Sequence, residues 1–373
     1  MISESDIMEI IFILILLAVA VAAEYLSYSI NGAKNLTYKA ELQKSEVFEG
    51  ENAVLIEEID NGKRLPLPFV KTEILAPAFL DFGIKAEADK EGFCGIPSVF
   101  SLKGREKCKR VRHILCTCRG VYEIGADSIY GSDLFGLLNY NLKLKDVKVK
   151  LTVLPAPLES EDFFPDNRQL YGDISVRRFI CEDPFLINGS HEYSGREPMN
   201  SISWSATARA GKLMAVNKDF TTSAKIFILL NFQRRDDIFA PAPKDVCELL
   251  IKAAAFVMER AEEIGAEFKL SINAEENMPI YSGYGTDFRL EQLRRLAAVI
   301  PNCRLRTGEF LAECPPFGCT DLIFITPTLS KASASYLEEL KLKGTGVYVY
   351  AMRNEAEAKF CSQIIRKAKE EEA

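Results

Sequence analysis

A cysteine and a histidine near the middle of the chain are the residues whose types best suit catalysis. Cys181 precedes His191, and Asp183 lies between them. A histidine that contacts a thiol lowers the thiol pKa and makes the thiolate available as a nucleophile. Closeness in sequence does not supply the geometry of such a dyad, and no nucleophile motif surrounds Cys181. We expect both residues to lie in loops, with a thiol hydrolase that uses Cys181 or Cys314 as the alternative.

The cysteines also raise the possibility of a metal site. Cys314 and Cys319 have weak metal-knuckle spacing, but the only histidines are His113 and His191. A zinc site would therefore depend mainly on thiolates. Buried free thiols are the more ordinary use of ten cysteines in a chain of this length, and they favour a reducing compartment. We predict no cofactor and no metal; a zinc-dependent hydrolase is the alternative.

Length and composition predict a folded protein of about two domains. The chain has 373 residues, of which 48% are hydrophobic and 27% charged, and its formal net charge is −7. These proportions allow a sizeable core. No block of lysine and arginine exceeds three residues, so the sequence does not indicate nucleic-acid binding.

The first part of the chain predicts a transmembrane anchor over residues 1–30. Residues 10–23 carry no charge, and the apolar stretch extends to spanning length at its ends. A secretory signal is the alternative, although residues 1–9 lack the basic residues of its first region. Lys34, Lys39 and Lys44 follow the span. The positive-inside rule therefore predicts a single-pass protein of the cell membrane with cytoplasmic C-terminal domains.

Residues 36–155 have the pattern of a β-sandwich domain. The clearest alternation places apolar residues from Leu142 to Val153 on one face and lysines on the other. We expect this segment to form one strand with a single buried face. Asn61 and Gly62 form a strong tight-turn signal between two strand-like runs. Several short strands separated by turn residues are typical of a sandwich.

Residues 221–373 predict an α/β domain, because strand and helix patterns alternate four times. Strands are expected at 226–230, 267–272, 321–326 and 346–352, and helices at 244–264, 288–299, 330–343 and 355–368. Such alternation predicts a doubly wound parallel sheet with helices on both faces. Residues 156–220 are expected to be an irregular connecting region. That region holds Trp204, the only tryptophan, which we interpret as packing an ordered loop against the core; a peptide-binding surface at Trp204 and Arg209 is the alternative.

Two short motifs lie at the end of the β region: residues 119–125 (Arg-Gly-Val-Tyr-Glu-Ile-Gly) and 133–137 (Asp-Leu-Phe-Gly-Leu). Together with a third motif around Trp204, their order resembles the membrane-anchored family catalogued as domain of unknown function fifty-eight, with Leu134 where proline is usual. The central family signature aligns at these positions: Tyr193, Gly195, Pro198, Ile202, Trp204, Ala208, Arg209, Leu213 and Met214. Arg196 interrupts the usual Gly-Asp pair, and the spacing from Gly195 to Trp204 is one residue longer than usual.

The resemblance implies an immunoglobulin-like sandwich followed by a von Willebrand factor A-like domain. Domains of the latter type often bind Mg²⁺ through an Asp-x-Ser-x-Ser motif with a distant threonine and a distant aspartate. The corresponding positions of this chain are Asn231, Gln233, Arg235, Thr286 and Thr326. Neutral amides and an arginine are poor partners for a hard cation that prefers carboxylate and hydroxyl oxygens. The resemblance therefore implies a degenerate site without metal, whose crevice still binds partners.

These features predict a non-catalytic, membrane-anchored interaction or assembly protein. The family resemblance suggests a MoxR-type AAA+ ATPase as its partner. The signature residues Tyr193, Gly195, Trp204, Ala208 and Arg209 are a possible contact surface. Besides the hydrolases already named, an extracytoplasmic adhesion module is an alternative that would reverse the predicted topology.

Overall fold

The structure, a computed structural model, describes most of the chain. The described residues are 4–32, 34–84, 89–90, 92–133, 136, 138–144, 147–158, 182–193, 202–220, 224–275, 280–355 and 361–363. The chain divides into two compact units. One comprises residues 1–156 with the short segment Leu293–Ala298, and the other comprises the remaining residues.

The chain begins with a long helix, α1 (Glu4–Asn31). Its segment Ile11–Asn31 is long and apolar enough to cross a membrane, and a signal sequence has the same properties. Most of its side chains are exposed. Near its end, however, Tyr28 is buried, and its hydroxyl donates to the carbonyl of Pro66 at 2.7 Å. The end of α1 is therefore attached to the domain that follows.

The β-sandwich predicted for residues 36–155 is confirmed. Its strands are β1 (Leu36–Leu42), β2 (Glu46–Phe48), β3 (Asn52–Asn61), β4 (Leu67–Pro77), β5 (Leu80–Asp81), β6 (Phe93–Leu102), β7 (Lys107–Cys116), β8 (Gly120–Ser132), β9 (Asn139–Lys143) and β10 (Lys148–Leu154). One sheet has the order β1-β3-β7-β5, and the other β2-β10-β8-β4-β6 with β9 also paired to β8. Alternate residues point inward, so that Leu55 and Ile114 of one sheet share a core with Ile74 and Ile124 of the other.

The single strand expected between Leu142 and Val153 is wrong in one respect. The structure divides it into β9 and β10, which pair antiparallel with successive parts of β8. Each strand alternates by itself: Leu142 of β9 is half-buried between exposed neighbours, and in β10 Leu151 and Val153 are buried while Lys148 and Lys150 are exposed. The hydrophobic pattern does mark the break, because its period-2 phase changes between Leu144 and Val147, across the polar residues Lys145 and Asp146.

A charged group of side chains links the two sheets; we call it the Glu57 cluster. The Glu57 carboxylate is fully buried and accepts hydrogen bonds from the Tyr38 hydroxyl at 2.9 Å, the Ser98 hydroxyl at 2.9 Å and Arg112 Nε at 2.7 Å. Arg112 also donates to the Ser98 hydroxyl at 2.6 Å. Burial, followed by the nearby Glu57 charge, raises the pKa of Tyr38. The buried charge is thus compensated by an opposite charge and two hydroxyl donors.

The region 156–220, expected to be irregular, contains regular structure. Strands β11 (Glu182–Glu192) and β12 (Met214–Phe220) pair antiparallel, and the helix α2 (Trp204–Ala210) lies between them in sequence. We call this unit the arm. Polar and small residues obscured it in the sequence, because a short helix held by capping and turn bonds has no apolar stripe.

The second unit contains a parallel sheet with helices on both faces. The elements after the arm are β13 (Lys225–Leu230), β14 (Gln233–Arg235), β15 (Ile238–Pro241), α3 (Lys244–Glu263), β16 (Glu267–Ile272), α4 (Gly285–Ala298), α5 (Thr307–Glu313), β17 (Asp321–Leu329), α6 (Lys331–Leu342), β18 (Gly346–Asn354) and β19 (Cys361–Gln363). Within α4, the segment Leu293–Ala298 is grouped with the first unit. The sheet order is β16-β13-β17-β18-β19, and every pairing in it is parallel. On one face, residues of α5 and α6 form a hydrophobic core with Phe227 and Leu229 of β13. Helix α3 also contacts β13, β16 and β17, but none of its residues belongs to that core.

Two local predictions for this unit need correction. The helix expected at residues 355–368 is wrong where the structure describes it, because Cys361–Gln363 form β19 beside β18. Pairing with an open sheet edge overrode the local helical pattern. Helix α5 was not predicted, because its seven residues are too few to establish a helical period.

Candidate partner-binding rim

Five neutral polar side chains meet where the parallel strands of the second unit end. Asn231 follows β13, Asn273 follows β16, and Thr326 lies in β17. Gln233 begins β14, and Thr307 begins α5. None of the five residues is more than 2% exposed. Because the carboxyl ends of parallel strands share one edge of a sheet, these elements converge there. We call the five residues the amide–hydroxyl network, and the surface above them the rim.

Asn231 is the centre of this network. Its Nδ2 donates to the hydroxyls of Thr307 at 3.1 Å and Thr326 at 3.2 Å. Its Oδ1 accepts from Asn273 Nδ2 at 2.7 Å and from the backbone N–H of Gln233 at 3.3 Å. One side chain therefore connects the ends of three strands to the start of α5.

Gln233 joins the network to the hairpin formed by β14 and β15. Its Oε1 accepts from the backbone N–H of Thr307 at 2.7 Å and from the Thr307 hydroxyl at 2.9 Å. Its Nε2 donates to the carbonyls of Arg235 at 2.8 Å and Ile238 at 3.3 Å. The buried amide thus holds both strands of the hairpin and the first turn of α5.

Backbone partners determine the orientation of all three amides. Gln233 Oε1 and Asn231 Oδ1 each face a backbone N–H, and Asn273 Oδ1 accepts from the backbone N–H of Leu305 at 3.0 Å. A backbone N–H can only donate, so these assignments are the only ones that satisfy the groups. The Asn231 N–H bonds consequently point at the two threonine hydroxyls. This arrangement offers a cation neither a carboxylate nor an unoccupied amide oxygen.

The structure brings together three of the five residues considered for a cation site. Asn231, Gln233 and Thr326 are in the network. The side chain of Arg235 is exposed and pairs with Asp237 at 3.1 Å, while only its carbonyl reaches Gln233. Thr286 is exposed and donates its hydroxyl to Glu262, away from the network.

Sequence reasoning missed Thr307 and Asn273. Thr307, and not Thr286, bonds to Asn231 and Gln233, and no sequence pattern distinguished the two threonines, because α5 itself was not predicted. Asn273 had a signal that went unused: it is the first residue after the strand Glu267–Ile272. Polar residues directly after parallel strands converge at one edge, as Asn231 also does.

The exposed part of the rim consists of the turn between β14 and β15 and the strand residues on either side of it. Residues 234–239 are all exposed, and Phe239 retains 51% of its accessible surface. The Arg306 guanidinium lies 5.8 Å from the centre of the Phe239 ring and donates to the carbonyl of Asp236 at 3.3 Å. An aromatic ring and an arginine held together on a surface are typical components of protein interfaces.

Of the two cysteines considered for catalysis, Cys314 has the environment of a structural thiol. Cys314 is buried, its Sγ lies 3.3 Å from the Ser271 hydroxyl, and burial raises its pKa. Burial also raises the pKa of Cys303, to about 11. A raised pKa keeps a thiol protonated and therefore poorly nucleophilic. Among the described residues, no three side chains of His, Cys, Asp or Glu are grouped so that they could hold a metal ion. Cys181 lies outside the described residues.

The interpretation of Trp204 as a packed core-edge residue is wrong. It begins α2, where the Ser203 hydroxyl caps the helix by accepting from the N–H of Ala206, and it is 69% exposed. Ala208 and Arg209 follow on the same exposed helix, and no residue of α2 is buried. Tyr193 continues the β11–β12 pairing through its backbone N–H; Gly195 lies outside the described residues.

Comparison with known proteins gives only distant structural likeness. No protein-family model and no curated protein matches the chain. The CARDB domain of the PF1109 protein from Pyrococcus furiosus, in complex with di-metal ions, is 15% identical over 32% of this chain and 91% of its own, with a TM-score of 0.22. A cohesin module of a family 33 glycoside hydrolase from Clostridium perfringens is 12% identical over 32% of this chain and 97% of its own, with a TM-score of 0.25. Likeness at this level carries no argument about ligands or partners.

Proposed function

We propose that this chain is a membrane-anchored, non-catalytic interaction protein that binds a protein partner at the rim. One observation carries the proposal: the strand ends, where α/β domains commonly place a ligand site, hold a buried network without charge. The side chains of the network bond to one another and to nearby backbone groups, and these bonds hold the hairpin and α5 in position. Binding is then left to the exposed turn with Phe239 and Arg306.

The proposal includes a von Willebrand factor A-like identity for the second unit. The family resemblance and the parallel sheet with polar residues at its strand ends support that identity. The positions that would hold Mg²⁺ in such a domain carry Asn231, Gln233 and Arg235 in this chain. A partner therefore docks without a bridging metal. The resemblance further supports a MoxR-type AAA+ ATPase as the partner.

The proposed location is the cytoplasmic side of the cell membrane, with α1 as a single span. Lys34, Lys39 and Lys44 follow the helix, which favours a cytoplasmic position for the segment after it. Eight described cysteines are free, in keeping with a reducing compartment.

A pull-down with the full, detergent-solubilised chain tests the proposal. We expect the wild type to recover an AAA+ ATPase, and Phe239→Ser to lose at least about tenfold of that recovery, as expected for truncation of an interface anchor. Phe317→Ser is the matched control, because Phe317 is also an exposed phenylalanine but precedes β17 at the opposite end of the strands. Repeated recovery of no ATPase, or an equal loss in both variants, would contradict the proposal.

A further inference from the structure

Hydrogen bonds to the backbone hold the exposed tip of the arm, residues 202–215. The backbone N–H of Ser203 donates to the carbonyl of Met214 at 2.8 Å, and the N–H of Met214 donates to the Thr207 hydroxyl at 3.0 Å. Gly211 ends α2 in the left-handed conformation at φ 66°, with its N–H bonded to Thr207. These bonds fold α2 back on β12. The exposure of Trp204 is therefore imposed by ordered backbone and does not result from a loose chain end.

The tip combines apolar surface with positive charge. Trp204 is 69% exposed and Leu213 is 47% exposed, and Arg209 and Lys212 are also exposed. Residues 202–215 contain no aspartate or glutamate, although the whole chain has a net charge of −7. Lys212 has one exposed acidic neighbour, Glu192 at 3.3 Å, and a solvated pair of this kind is weak. The tip is thus a cationic patch on an acidic protein.

We propose that the arm tip binds the headgroup region of an anionic membrane. An indole ring is favoured at the boundary between headgroups and acyl chains, where its apolar body is buried and its N–H stays hydrated. Arg209 and Lys212 supply the charge that an anionic leaflet attracts. The inference rests on the membrane anchoring included in the proposed function, because α1 keeps the whole chain beside a bilayer.

The surroundings of Trp204 favour a lipid surface over a protein pocket as the occupant. Within the part of the chain that the structure describes, its neighbours on α2 include the small residues Ser205, Ala206 and Ala208, and the indole is 69% exposed. An interface hot spot is usually surrounded by further contacts that exclude water from it. A fluid headgroup layer accepts a single protruding ring and two flexible cations without a complementary shape.

Fluorescence of the full chain in nanodiscs tests this inference, because Trp204 is the only tryptophan. We expect its emission to shift to the blue and its quenching by acrylamide to fall in discs that contain phosphatidylglycerol, compared with discs of phosphatidylcholine alone. Brominated acyl chains should quench it in the anionic discs. Co-elution of the protein with the discs separately reports anchoring through α1, so failure of the anchor and failure of the arm are distinguishable.

Matched charge variants determine whether the tip itself is responsible. The double variant Arg209→Gln, Lys212→Gln should weaken association of the arm with the anionic surface by about thirtyfold and return the emission to its value in neutral discs. The double variant Lys148→Gln, Lys150→Gln removes the same charge from the sandwich and should keep the blue shift. Emission that is identical in both lipids, or that shifts only when a protein partner is added, would overturn the inference.

Discussion

The Glu57 cluster and the amide–hydroxyl network show two ways of burying polar groups in one chain. The Glu57 cluster joins two sheets through a carboxylate and a guanidinium, with hydroxyls that complete the bonding. The amide–hydroxyl network joins three strand ends through neutral groups alone. In the cluster, loss of the guanidinium leaves a fully buried carboxylate without a counter-charge. In the network, loss of one group costs only hydrogen bonds.

The amide–hydroxyl network carries no charge, and this limits what can bind at the strand ends. A neutral, internally bonded network has no excess charge to attract a cation, and it tolerates changes of pH because none of its members titrates in the ordinary range. Neither buried group presents a free donor or acceptor to a ligand. We therefore propose that recognition in the second unit uses the exposed hairpin residues that the network supports, which include Phe239 of β15.

The largest expected change in the free energy of unfolding comes from the Glu57 cluster. Glu57→Gln should lower the free energy of unfolding by about 3 kcal/mol, because the mostly buried Arg112 side chain, 13% exposed, loses its counter-charge. Urea unfolding followed by circular dichroism measures the change. Glu58→Gln is the matched control: Glu58 is the next residue of β3, and its partners Lys107 and Lys109 are exposed. Glu58→Gln should change the free energy of unfolding only slightly. An equal loss in both variants would show that the buried ion pair of Glu57 stabilises the fold no more than the exposed ion pairs of Glu58 do.

The next effect converts the neutral network into a charged one. Asn231→Asp removes both donors to Thr307 and Thr326 and buries a carboxylate, which should cost about 2–3 kcal/mol at neutral pH. Burial without a cation raises the pKa of the new carboxyl above its unfolded value. The folded state then binds protons more readily than the unfolded state, so the loss should shrink as pH falls below that raised pKa.

Urea unfolding across a pH series measures this dependence. Asn302→Asp is the control, because Asn302 is exposed and its side-chain oxygen accepts from the N–H of Cys303, which a carboxylate also does. Stability of the Asn231→Asp variant that matches the wild type at neutral pH would indicate that this site accommodates negative charge, contrary to the neutral network described above.

Replacing Thr307 should destabilise the fold less than these changes, but more than replacing Thr286. Thr307→Val should lose about 1–2 kcal/mol, because its buried hydroxyl bonds to Gln233 and Asn231 disappear while the shape is kept. Thr286→Val should lose less, because the hydroxyl of Thr286 is exposed and water replaces its bond to Glu262. Thermal unfolding of the two variants compares them directly. A larger loss for Thr286→Val would contradict the assignment of Thr307 to the network.

The smallest expected effect is a pH-dependent loss of stability at Glu262, which belongs to neither the Glu57 cluster nor the amide–hydroxyl network. The pKa of Glu262 is lowered by the hydrogen bond from Thr286 and then by the bond and charge of Arg289. A lowered pKa means that this carboxylate stabilises the fold above its unfolded pKa, and that the contribution is lost as pH falls through the folded pKa. Glu262→Gln should cost about 0.5 kcal/mol at neutral pH and nothing at strongly acidic pH. An equal cost at both pH values would contradict this explanation.

The fold could be predicted from sequence wherever a hydrophobic period extended over a whole element. Alternation in residues 36–155 predicted the sandwich, and the apolar stripe of α3 predicted its length almost to the residue. Prediction failed where bonding between distant groups decided the outcome. Helix α5 depends on Gln233, which bonds the N–H of Thr307 across 74 positions of sequence.

The candidate site was predictable only in part for the same reason. Asn231 and Gln233 directly follow a buried strand, so their position at the sheet edge could be inferred. The identity of their partners could not, because amide and hydroxyl groups have no spacing rule comparable to that of a helix or strand. Trp204 was misjudged because its burial was inferred from residue type, whereas the Ser203 cap and the bonds to Met214 place it outward.

Manganese binding measured by electron paramagnetic resonance distinguishes a neutral network at the strand ends from a cation site. We expect the wild-type chain to leave the free-ion signal unchanged, because the strand ends hold neutral groups that are already bonded to one another. The triple variant Asn231→Asp, Gln233→Ser, Arg235→Ser, which carries the Asp-x-Ser-x-Ser pattern, should reduce that signal. Stoichiometric loss of the free-ion signal with the wild type, abolished by Asn231→Ala, would contradict the account.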